Sequence, residues 1–354
     1  MKRIGILTGG GDCPGLNAVI RAAARTLIRE YDIEVVGIQL GFEGLLTKAI
    51  VPLTLETIRG ILPKGGTLLR TTNRGNPFEF PTADGRCEDR SDLVVDHIHE
   101  LGIDGIIAIG GDGTLKIAQR LCDKGIPMVA VPKTIDNDLA ATDYTFGFHT
   151  AVAVATEAVD RLHTTAESHD RVMILEVMGR NAGWIALYSG IAGGADIILI
   201  PEIPYRPDAI AEMIRGREAE GAKFDIIVVA EGAKRLGGEE AYLDKATRRL
   251  GGIAYQVAAD IQQHIDLEIR VTVLGHIQRG GSPIAFDRIL ASRFGKAAAD
   301  LAALNKYGEM VAVRGDEIVS VPIRDAVSRP KYVDPDGNMV ATARSLGISF
   351  GDGR

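Results

Sequence analysis

Short apolar runs alternate with amphipathic stretches along most of the chain. The run from Ile4 to Thr8 predicts a strand, and apolar positions at helical spacing from Leu16 to about Arg29 predict a helix. Further strands are predicted at Glu34–Ile38, Gly105–Ile109, Met128–Val131, Arg171–Val177, Ile197–Ile200, Ile226–Ala230 and Ile269–Leu274, and further helices at Asp92–Leu101, Leu115–Lys124, Glu157–Glu167, Pro207–Glu218 and Ala285–Leu304. This alternation predicts an α/β protein with mostly parallel sheets.

Three other stretches lack such a pattern or show a different one. Residues 65–81 have no clear periodicity and read as a long loop. The polar segment from Lys234 to Arg249 reads as an exposed excursion. A hairpin is predicted at Met310–Val313 and Ile318–Val321, and the last twenty-odd residues give no usable signal.

Length and composition bound the class of protein. At 354 residues the chain exceeds one ordinary core, so two lobes are expected. The sequence is 46% hydrophobic and 25% charged, which is a globular profile. A net charge of −7 argues against a nucleic-acid or membrane surface, and no apolar stretch approaches the roughly 20 residues of a membrane helix.

The cysteines indicate the compartment. Cys13, Cys87 and Cys122 are isolated, without CxxC spacing, which suits a reducing cytosol better than a disulfide framework or a zinc site. The first residues lead directly into a predicted strand without an apolar signal segment. We therefore expect a cytoplasmic protein.

Two glycine-rich loops connect predicted strands to predicted helices. Gly9–Gly15 and Gly110–Thr114 would each direct backbone N–H groups and a helix N-terminus at an anion. The GxGxxG fingerprint fails at Pro14, and the P-loop fails at Leu16 and Asn17. Both loops are interpreted as phosphate or nucleotide loops of another family, with a purely structural turn as the alternative.

A cluster of reactive side chains follows the Met128–Val131 run. Pro132–Asp138 supplies one cation, one hydroxyl and two carboxylates, at a position where α/β sheets bind ligands. A capped turn is the alternative. Arginines and a histidine at later strand ends suit a phosphorylated substrate, because guanidinium groups match phosphate oxygens. Together these loops predict phosphoryl transfer.

Several motifs, in order, resemble those of the 6-phosphofructokinase family. They are Gly9–Asn17, Gly110–Thr114, Pro132–Asp138, Glu176–Arg180 and Gly275–Pro283, and the resemblance covers about residues 2 to 325. It implies transfer of the γ-phosphoryl of MgATP to the 1-hydroxyl of fructose 6-phosphate. It also implies two three-layer α/β/α, Rossmann-like lobes with the active site in the cleft. The donor lobe would span 1–147 plus about 278–327, and the fructose 6-phosphate lobe 148–277 plus about 328–354.

The resemblance also implies roles for individual residues. Asp136 resembles the general base, with Lys133 and Asp138 beside it, and Asp112 resembles the acid linked to Mg²⁺. The donor set would be Gly10, Arg74, Gly110, Gly111, Asp112, Gly113 and Thr114. The acceptor set would be Thr134, Asp136, Arg171, Met178, Gly179, Arg180, Glu231, Arg270, His276 and Arg279.

Two positions disagree about the phosphoryl donor. In this family, glycine at the position of Gly113 leaves room for the α-phosphate and nucleoside of ATP, whereas aspartate there restricts the donor to pyrophosphate. Lys133, in contrast, resembles the pyrophosphate-dependent members. We take ATP as the donor, with a reversible, pyrophosphate-dependent enzyme as the alternative.

The resemblance further bears on assembly and control. Arg171 and Arg270 resemble arginines that reach the 6-phosphate from a neighbouring subunit, which implies a homodimer or homotetramer. Arg21 and Arg25 match effector-site arginines, but His163 stands where a third arginine is usual. We expect weak or absent control by ADP or phosphoenolpyruvate. Outside the family, a dinucleotide-dependent oxidoreductase and a catalytically silent phosphate-binding regulator are the alternatives.

Overall fold

The computed structural model describes residues 1–82, 84–244 and 249–354. Its strands are β1 Arg3–Thr8, β2 Glu34–Ile38, β3 Ile50–Pro52, β4 Phe80–Pro81, β5 Cys87–Glu88, β6 Gly105–Gly110, β7 Met128–Thr134, β8 Phe146–Gly147, β9 Val172–Val177, β10 Ile197–Leu199, β11 Asp225–Ala230, β12 Tyr242–Asp244, β13 Arg249–Leu250, β14 Ile269–Val273, β15 Glu309–Arg314 and β16 Glu317–Pro322. Its helices are α1 Leu16–Tyr31, α2 Glu43–Leu46, α3 Ser91–Glu100, α4 Asp112–Asp123, α5 Phe148–His169, α6 Trp184–Gly193, α7 Pro207–Ala219, α8 Ile253–Gln262, α9 Ala285–Ala303, α10 Ile323–Ala326 and α11 Asn338–Ser345.

The chain divides into two compact units. Unit 1 comprises Met1–Ile135, Leu139–His149 and Arg279–Pro330. Unit 2 comprises Asp136–Asp138, Thr150–Gln278 and Lys331–Arg354. Apart from the short segment Asp136–Asp138, these bounds lie within a few residues of the lobes expected from the sequence. The assignment of donor and acceptor to the two units stays a prediction.

Unit 1 is built on a mixed sheet with the order β16-β15-β7-β6-β1-β2-β3. Parallel pairing joins β1 to β2, β1 to β6, β6 to β7 and β7 to β15. The edge strands β3 and β16 pair antiparallel with β2 and β15. Every residue of β6 is buried, so both faces of the sheet are covered. The predicted α/β class with mostly parallel strands is confirmed.

Unit 2 has a smaller parallel sheet with the order β10-β11-β9-β14. All residues of β9 and β11 are buried, and apolar side chains from α7 and α8 complete this core. The strand β14 lies at the edge of the sheet and is largely exposed. Two covered faces in each unit agree with the three-layer arrangement.

Two elements near the predicted site differ from the sequence-based bounds. The strand β7 continues to Thr134, because Pro132 pairs with Gly110 and Lys133 pairs with Phe146 of β8. Lys133 and Thr134 therefore belong to a strand and not to the expected loop. The helix α4 begins at Asp112 instead of Leu115, so the glycine motif itself forms its first turn.

Other elements had no readable pattern. The short strand β3, the short helices α2 and α10, and the C-terminal helix α11 were not predicted. In the polar excursion, β12 pairs with β13, and residues 245–248 lie outside the described residues. Across the described ranges, no helix combines the length and apolar character that a membrane crossing requires.

Candidate active site

The carboxyl ends of three neighbouring strands bring the predicted donor loops of unit 1 together. Thr8 at the end of β1 pairs with Ile109 of β6, and Gly110 at the end of β6 pairs with Pro132 of β7. Adjacent parallel strands present their carboxyl ends at one edge of a sheet, where ligands bind. The structure therefore places Gly9–Gly15, Gly110–Thr114 and Lys133–Thr134 along a common edge.

Thr114 explains why glycine is required in two of these segments. A Cβ atom on Gly110 would lie 2.2 Å from the Cβ atom of Thr114, and one on Gly9 would lie 2.6 Å from its hydroxyl. Thr114 is buried, with 6% of the residue exposed. Its packing between the two glycine positions holds the first loop against the start of α4.

Successive carbonyl groups of the first glycine loop accept hydrogen bonds from three different segments. Thr71 Oγ1 donates to the carbonyl of Gly10 at 2.6 Å, Lys133 Nζ donates to that of Gly11, and Arg279 Nη1 donates to that of Asp12 at 3.3 Å. In a trans peptide the next N–H points the opposite way. Within the described ranges, the N–H groups of residues 11–13 have no protein acceptor. The loop is thus held with amides available to an anion.

The first turn of α4 combines an acid with an open position. The Asp112 carboxylate accepts from Lys116 Nζ at 2.8 Å, and both side chains are partly exposed. A Cβ atom on Gly113 would meet no atom within 4 Å. The space beside Gly113 is therefore compatible with a bulky ligand or with a larger side chain.

The segment after residue 65 contains the predicted donor arginine. Arg74 is exposed, and its backbone N–H donates to Thr72 Oγ1 at 3.1 Å. Arg70 has a left-handed φ of 59°, and its carbonyl accepts from Thr8 Oγ1 at 2.8 Å. A polar bond thus ties this loop to the end of β1, while Arg70 and Arg74 are both exposed residues.

Cys13 lies in the first glycine loop but is not a reactive group. The side chain is fully buried, and this burial raises the pKa of its thiol to about 12. A thiol with so high a pKa is a poor nucleophile. The residue fills space beside Gly147, where a Cβ atom would lie 2.6 Å from the sulfur.

Unit 2 holds five of the predicted acceptor residues at the carboxyl ends of its own strands, whereas Thr134 and Arg279 belong to unit 1. The loop Met178–Arg180 follows β9, Glu231 follows β11, and His276 follows β14. The N–H of Gly232 donates to Gly179 O at 3.1 Å. Since β11 and β14 both pair with β9, the three segments lie at one edge of the sheet.

Gln278 connects two of these acceptor segments. Its Oε1 accepts from the N–H of Met178 at 3.3 Å, and its Nε2 donates to Gly275 O at 3.1 Å. The residue is fully buried. Glu176, in the predicted motif, serves the fold instead, because its carboxylate accepts from the N–H groups of Gly252 and Ala254 at the start of α8.

Two further predicted acceptor residues, Arg171 and Arg270, lie elsewhere on unit 2. Arg171 precedes β9, Arg270 is the second residue of β14, and both contact the carboxylate of Glu268. They occupy the amino end of the sheet, and one six-residue strand separates them from Met178, a distance of roughly 20 Å. A single chain therefore does not bring these arginines to the other acceptor residues.

The predicted base lies in a short segment of unit 2. Asp136 and Asp138 are half-buried, and Asn137 between them is 2% exposed with a left-handed φ of 52°. No group of three or more His, Cys, Asp or Glu side chains in the described parts of the chain forms a metal site by itself. A single carboxylate such as Asp112 can still bind Mg²⁺, which is usually held by one or two carboxylates plus substrate phosphates.

The expected effector positions are already engaged in part. His163 Nε2 lies 2.7 Å from Gly193 O, and its ring packs edge-on against Phe224. The expectation of weak or absent control by ADP or phosphoenolpyruvate stays a prediction.

Sequence reasoning missed several side chains that shape these sites. Thr71 lies in the segment without periodicity, Gln278 lies in the Gly275–Pro283 motif but had no predicted role, and Lys331 lies in the C-terminal region that gave no signal. Their partners are distant in the sequence: Thr71 is separated by 61 residues from Gly10. No local pattern identifies such contacts.

Comparisons with known proteins show which proteins the chain resembles. A family model described as Phosphofructokinase matches residues 3–302. An ATP-dependent 6-phosphofructokinase of Chloroflexus aurantiacus is 54% identical over 99% of this chain and 98% of its own. A pyrophosphate–fructose 6-phosphate 1-phosphotransferase of Streptomyces coelicolor is 49% identical over 99% of this chain and 100% of its own.

A solved structure supports the same fold. The T-state structure of Pichia pastoris phosphofructokinase matches with a TM-score of 0.80 and 32% identity, over 98% of this chain and 38% of that chain. This chain thus spans well under half the length of that solved relative. The two sequence relatives named above share a substrate in their names and differ in the phosphoryl donor.

Proposed function

Because the chain belongs to the phosphofructokinase family, we propose that it is an ATP-dependent 6-phosphofructokinase. It transfers the γ-phosphoryl group of ATP to the 1-hydroxyl of fructose 6-phosphate, giving fructose 1,6-bisphosphate in glycolysis. The observation that carries this proposal is the match along nearly the whole chain to a relative of that name. The cytoplasm, where ATP and sugar phosphates are found, is its proposed location.

Donor binding falls to the carboxyl edge of the unit 1 sheet. The amides of residues 11–13 and the N-terminus of α4 face phosphate oxygens, because both present backbone N–H groups. Mg²⁺, when bound, neutralises charge on the donor phosphates, and Asp112 is its protein carboxylate. Gly10, Gly110, Gly111 and Thr114 shape the loop, and Arg74 is the proposed surface cation beside it.

The acceptor is activated by Asp136. Its carboxylate takes the proton from the sugar 1-hydroxyl as that oxygen attacks the phosphoryl group, which is the work of a general base. Asp138 would help to hold the Mg²⁺, and Lys133 supplies positive charge near the donor loop. The remaining acceptor residues that we propose are Thr134, Met178, Gly179, Arg180, Glu231, His276 and Arg279.

Arg171 and Arg270 are proposed to serve a neighbouring subunit. Their position at the opposite end of the sheet from Met178 supports this assignment, because one chain keeps them roughly 20 Å from its own acceptor loop. The protein is accordingly proposed to be a homodimer or homotetramer. On substrate binding, the 6-phosphate would replace the Glu268 carboxylate as the partner of these two arginines.

The alternative is a pyrophosphate-dependent enzyme. Lys133 favours it, as does the Streptomyces relative of that name. Gly113 favours ATP, since the space beside it is open. The deciding experiment measures kcat/KM of the purified protein with fructose 6-phosphate and either donor. We expect turnover with ATP to dominate; pyrophosphate turnover equal to or above it would replace the proposal by the alternative.

A further inference from the structure

A short C-terminal segment contacts the candidate catalytic loop within unit 2. This segment, residues 331–333, is named the strap and lies beyond the residues matched by the family model. The N–H of Lys331 donates to the carbonyl of Asp138 at 2.8 Å. Lys331 Nζ donates to Asn137 Oδ1 at 3.1 Å. Backbone and side chain of one residue thus both bond the 136–138 loop.

The conformation of Asn137 shows why such contacts matter. Its φ of 52° lies in the left-handed region, which most L-residues avoid, and the residue is 2% exposed. Asn137 stands between Asp136 and Asp138, so its backbone angles set the directions of both carboxylates. A rare conformation of this kind persists where surrounding contacts hold it.

The strap is itself fixed to unit 2. Trp184 Nε1 donates to Lys331 O at 2.9 Å, and Lys331 Nζ lies 5.7 Å from the centre of the Trp184 ring. The N–H of Val333 donates to Glu202 Oε1 at 2.8 Å, and the same carboxylate accepts from the N–H of Gly183. The loop is therefore tied to the start of α6 through Lys331.

We propose that Lys331 is a positioning residue for phosphoryl transfer, holding the 136–138 loop so that Asp136 meets the sugar hydroxyl. This inference rests on the proposed function, in which Asp136 is the base. The ammonium acts through its bond to Asn137 Oδ1, and the bond from the N–H of Lys331 to the carbonyl of Asp138 holds the strap against the loop.

The kinetic test uses Lys331→Met with Arg329→Met as the matched control, because Arg329 is an exposed cation two residues away. We expect kcat of Lys331→Met to fall roughly 10- to 100-fold, because a small displacement of a catalytic group lowers the rate by about this much. KM for both substrates should stay within about twofold. Lys331→Arg, which keeps a donor, should recover most of kcat. Unchanged kcat in Lys331→Met, or an equal loss in the control, overturns the proposal.

A second measurement does not depend on turnover. Amide hydrogen exchange of the peptide spanning 135–139 should accelerate in Lys331→Met and remain normal in Arg329→Met and Lys331→Arg. If the wild type fails to phosphorylate fructose 6-phosphate while exchange still responds, the proposed function is refuted, and what stands is that Lys331 holds the 136–138 loop. If exchange is unchanged, the positioning role is refuted, whatever the activity. Should Lys331→Met not fold, Lys331→Gln replaces it with the same expectations.

A double-mutant cycle tests the route through Asn137. Asn137→Gly removes the amide while permitting the left-handed backbone. If Lys331 acts through this side chain, the double variant should lose no more kcat than the worse single variant. Full additivity of the two losses would show that the lysine acts by another route and would overturn this part of the proposal.

Discussion

At the scale of single residues, the site depends on side chains whose chemistry is set by their surroundings. Thr71 and Gln278 make bonds that orient backbone groups rather than contacts with reacting atoms. The identity of Asp136 as an acid in a suitable motif could be read from the sequence. Its proposed orientation by Asn137 and Lys331 could not, because those partners are 194 residues apart.

The proposed base has a direct test. Asp136→Asn keeps the shape of the side chain and removes the proton acceptor, so kcat should fall by about 10³-fold while KM for fructose 6-phosphate is largely kept. Steady-state kinetics checks this, with Asp266→Asn as the control, since Asp266 is an exposed carboxylate of the same unit. Retained activity in Asp136→Asn would favour a silent or differently organised site.

A second residue-scale prediction concerns acid stability. His149 packs 4.0 Å from the ring centre of Phe286, and burial lowers the pKa of its imidazole to about 4. In the unfolded chain the same imidazole has a pKa near 6.5, so between pH 4 and pH 6.5, roughly, the unfolded state binds more protons than the folded state. The free energy of unfolding therefore falls as the pH drops from about 6.5 to about 4. The loss should approach about 3 kcal/mol at most.

His149→Phe should remove this part of the pH dependence. The free energy of unfolding is measured by denaturant titration at pH values from about 4 to about 7, a range that contains the ordinary histidine pKa. His99→Phe is the control, because His99 is exposed. An identical pH slope in the wild type and His149→Phe would contradict the assignment.

At the scale of elements, strand ends and helix starts decide what the loops can bind. The sequence placed most strands and helices within a few residues, because their apolar periodicity is local. It misplaced the end of β7, because pairing to Gly110 and to β8 extends this strand. It also misplaced the start of α4, because the glycine motif forms the first turn of this helix. Both errors fall at the candidate site.

The first turn of α4 carries the donor prediction. Gly113→Asp should fold normally, since a Cβ atom there meets no atom within 4 Å. A like charge about 4 Å from a donor phosphate costs about 4 kcal/mol at an effective dielectric constant near 20, so kcat/KM for ATP should fall at least about 10²-fold. Donor kinetics measures the effect, and any pyrophosphate activity should persist.

A matched control exists for this substitution. Gly216 lies in the helix α7, is exposed, and likewise has open space for a Cβ atom. Gly216→Asp should leave ATP kinetics unchanged. Little effect of Gly113→Asp on ATP turnover would mean that the donor does not occupy the space beside α4.

At the scale of the whole molecule, we propose that a second copy of the chain completes the site. Arg171 and Arg270 share one end of the unit 2 sheet and contact Glu268. Subunits carrying Asp136→Asn and subunits carrying Arg171→Ala with Arg270→Ala should each be nearly inactive alone. Co-expressed, they should regain activity, because a mixed pair contains one site with all groups intact.

The mass in solution and the mixing ratio complete that experiment. Light scattering should give a small multiple of the 37.8 kDa chain. The control is a co-expression of Asp136→Asn subunits with subunits in which Arg171 and Arg270 are unchanged. Activity of the mixture no greater than the sum of its parents would refute sharing of the site.

The sequence by itself determined the α/β class, the order of most elements and the loops that carry the chemistry. These features are local: periodicity reports which faces are buried, and glycine, lysine and aspartate at a strand end report what a loop can bind. Only the tertiary structure decided that Arg171 and Arg270 lie away from Met178, that Thr71 bonds Gly10, and that Lys331 bonds the 136–138 loop. Such contacts join distant parts of the chain through sheet pairing and packing, and no local pattern encodes them.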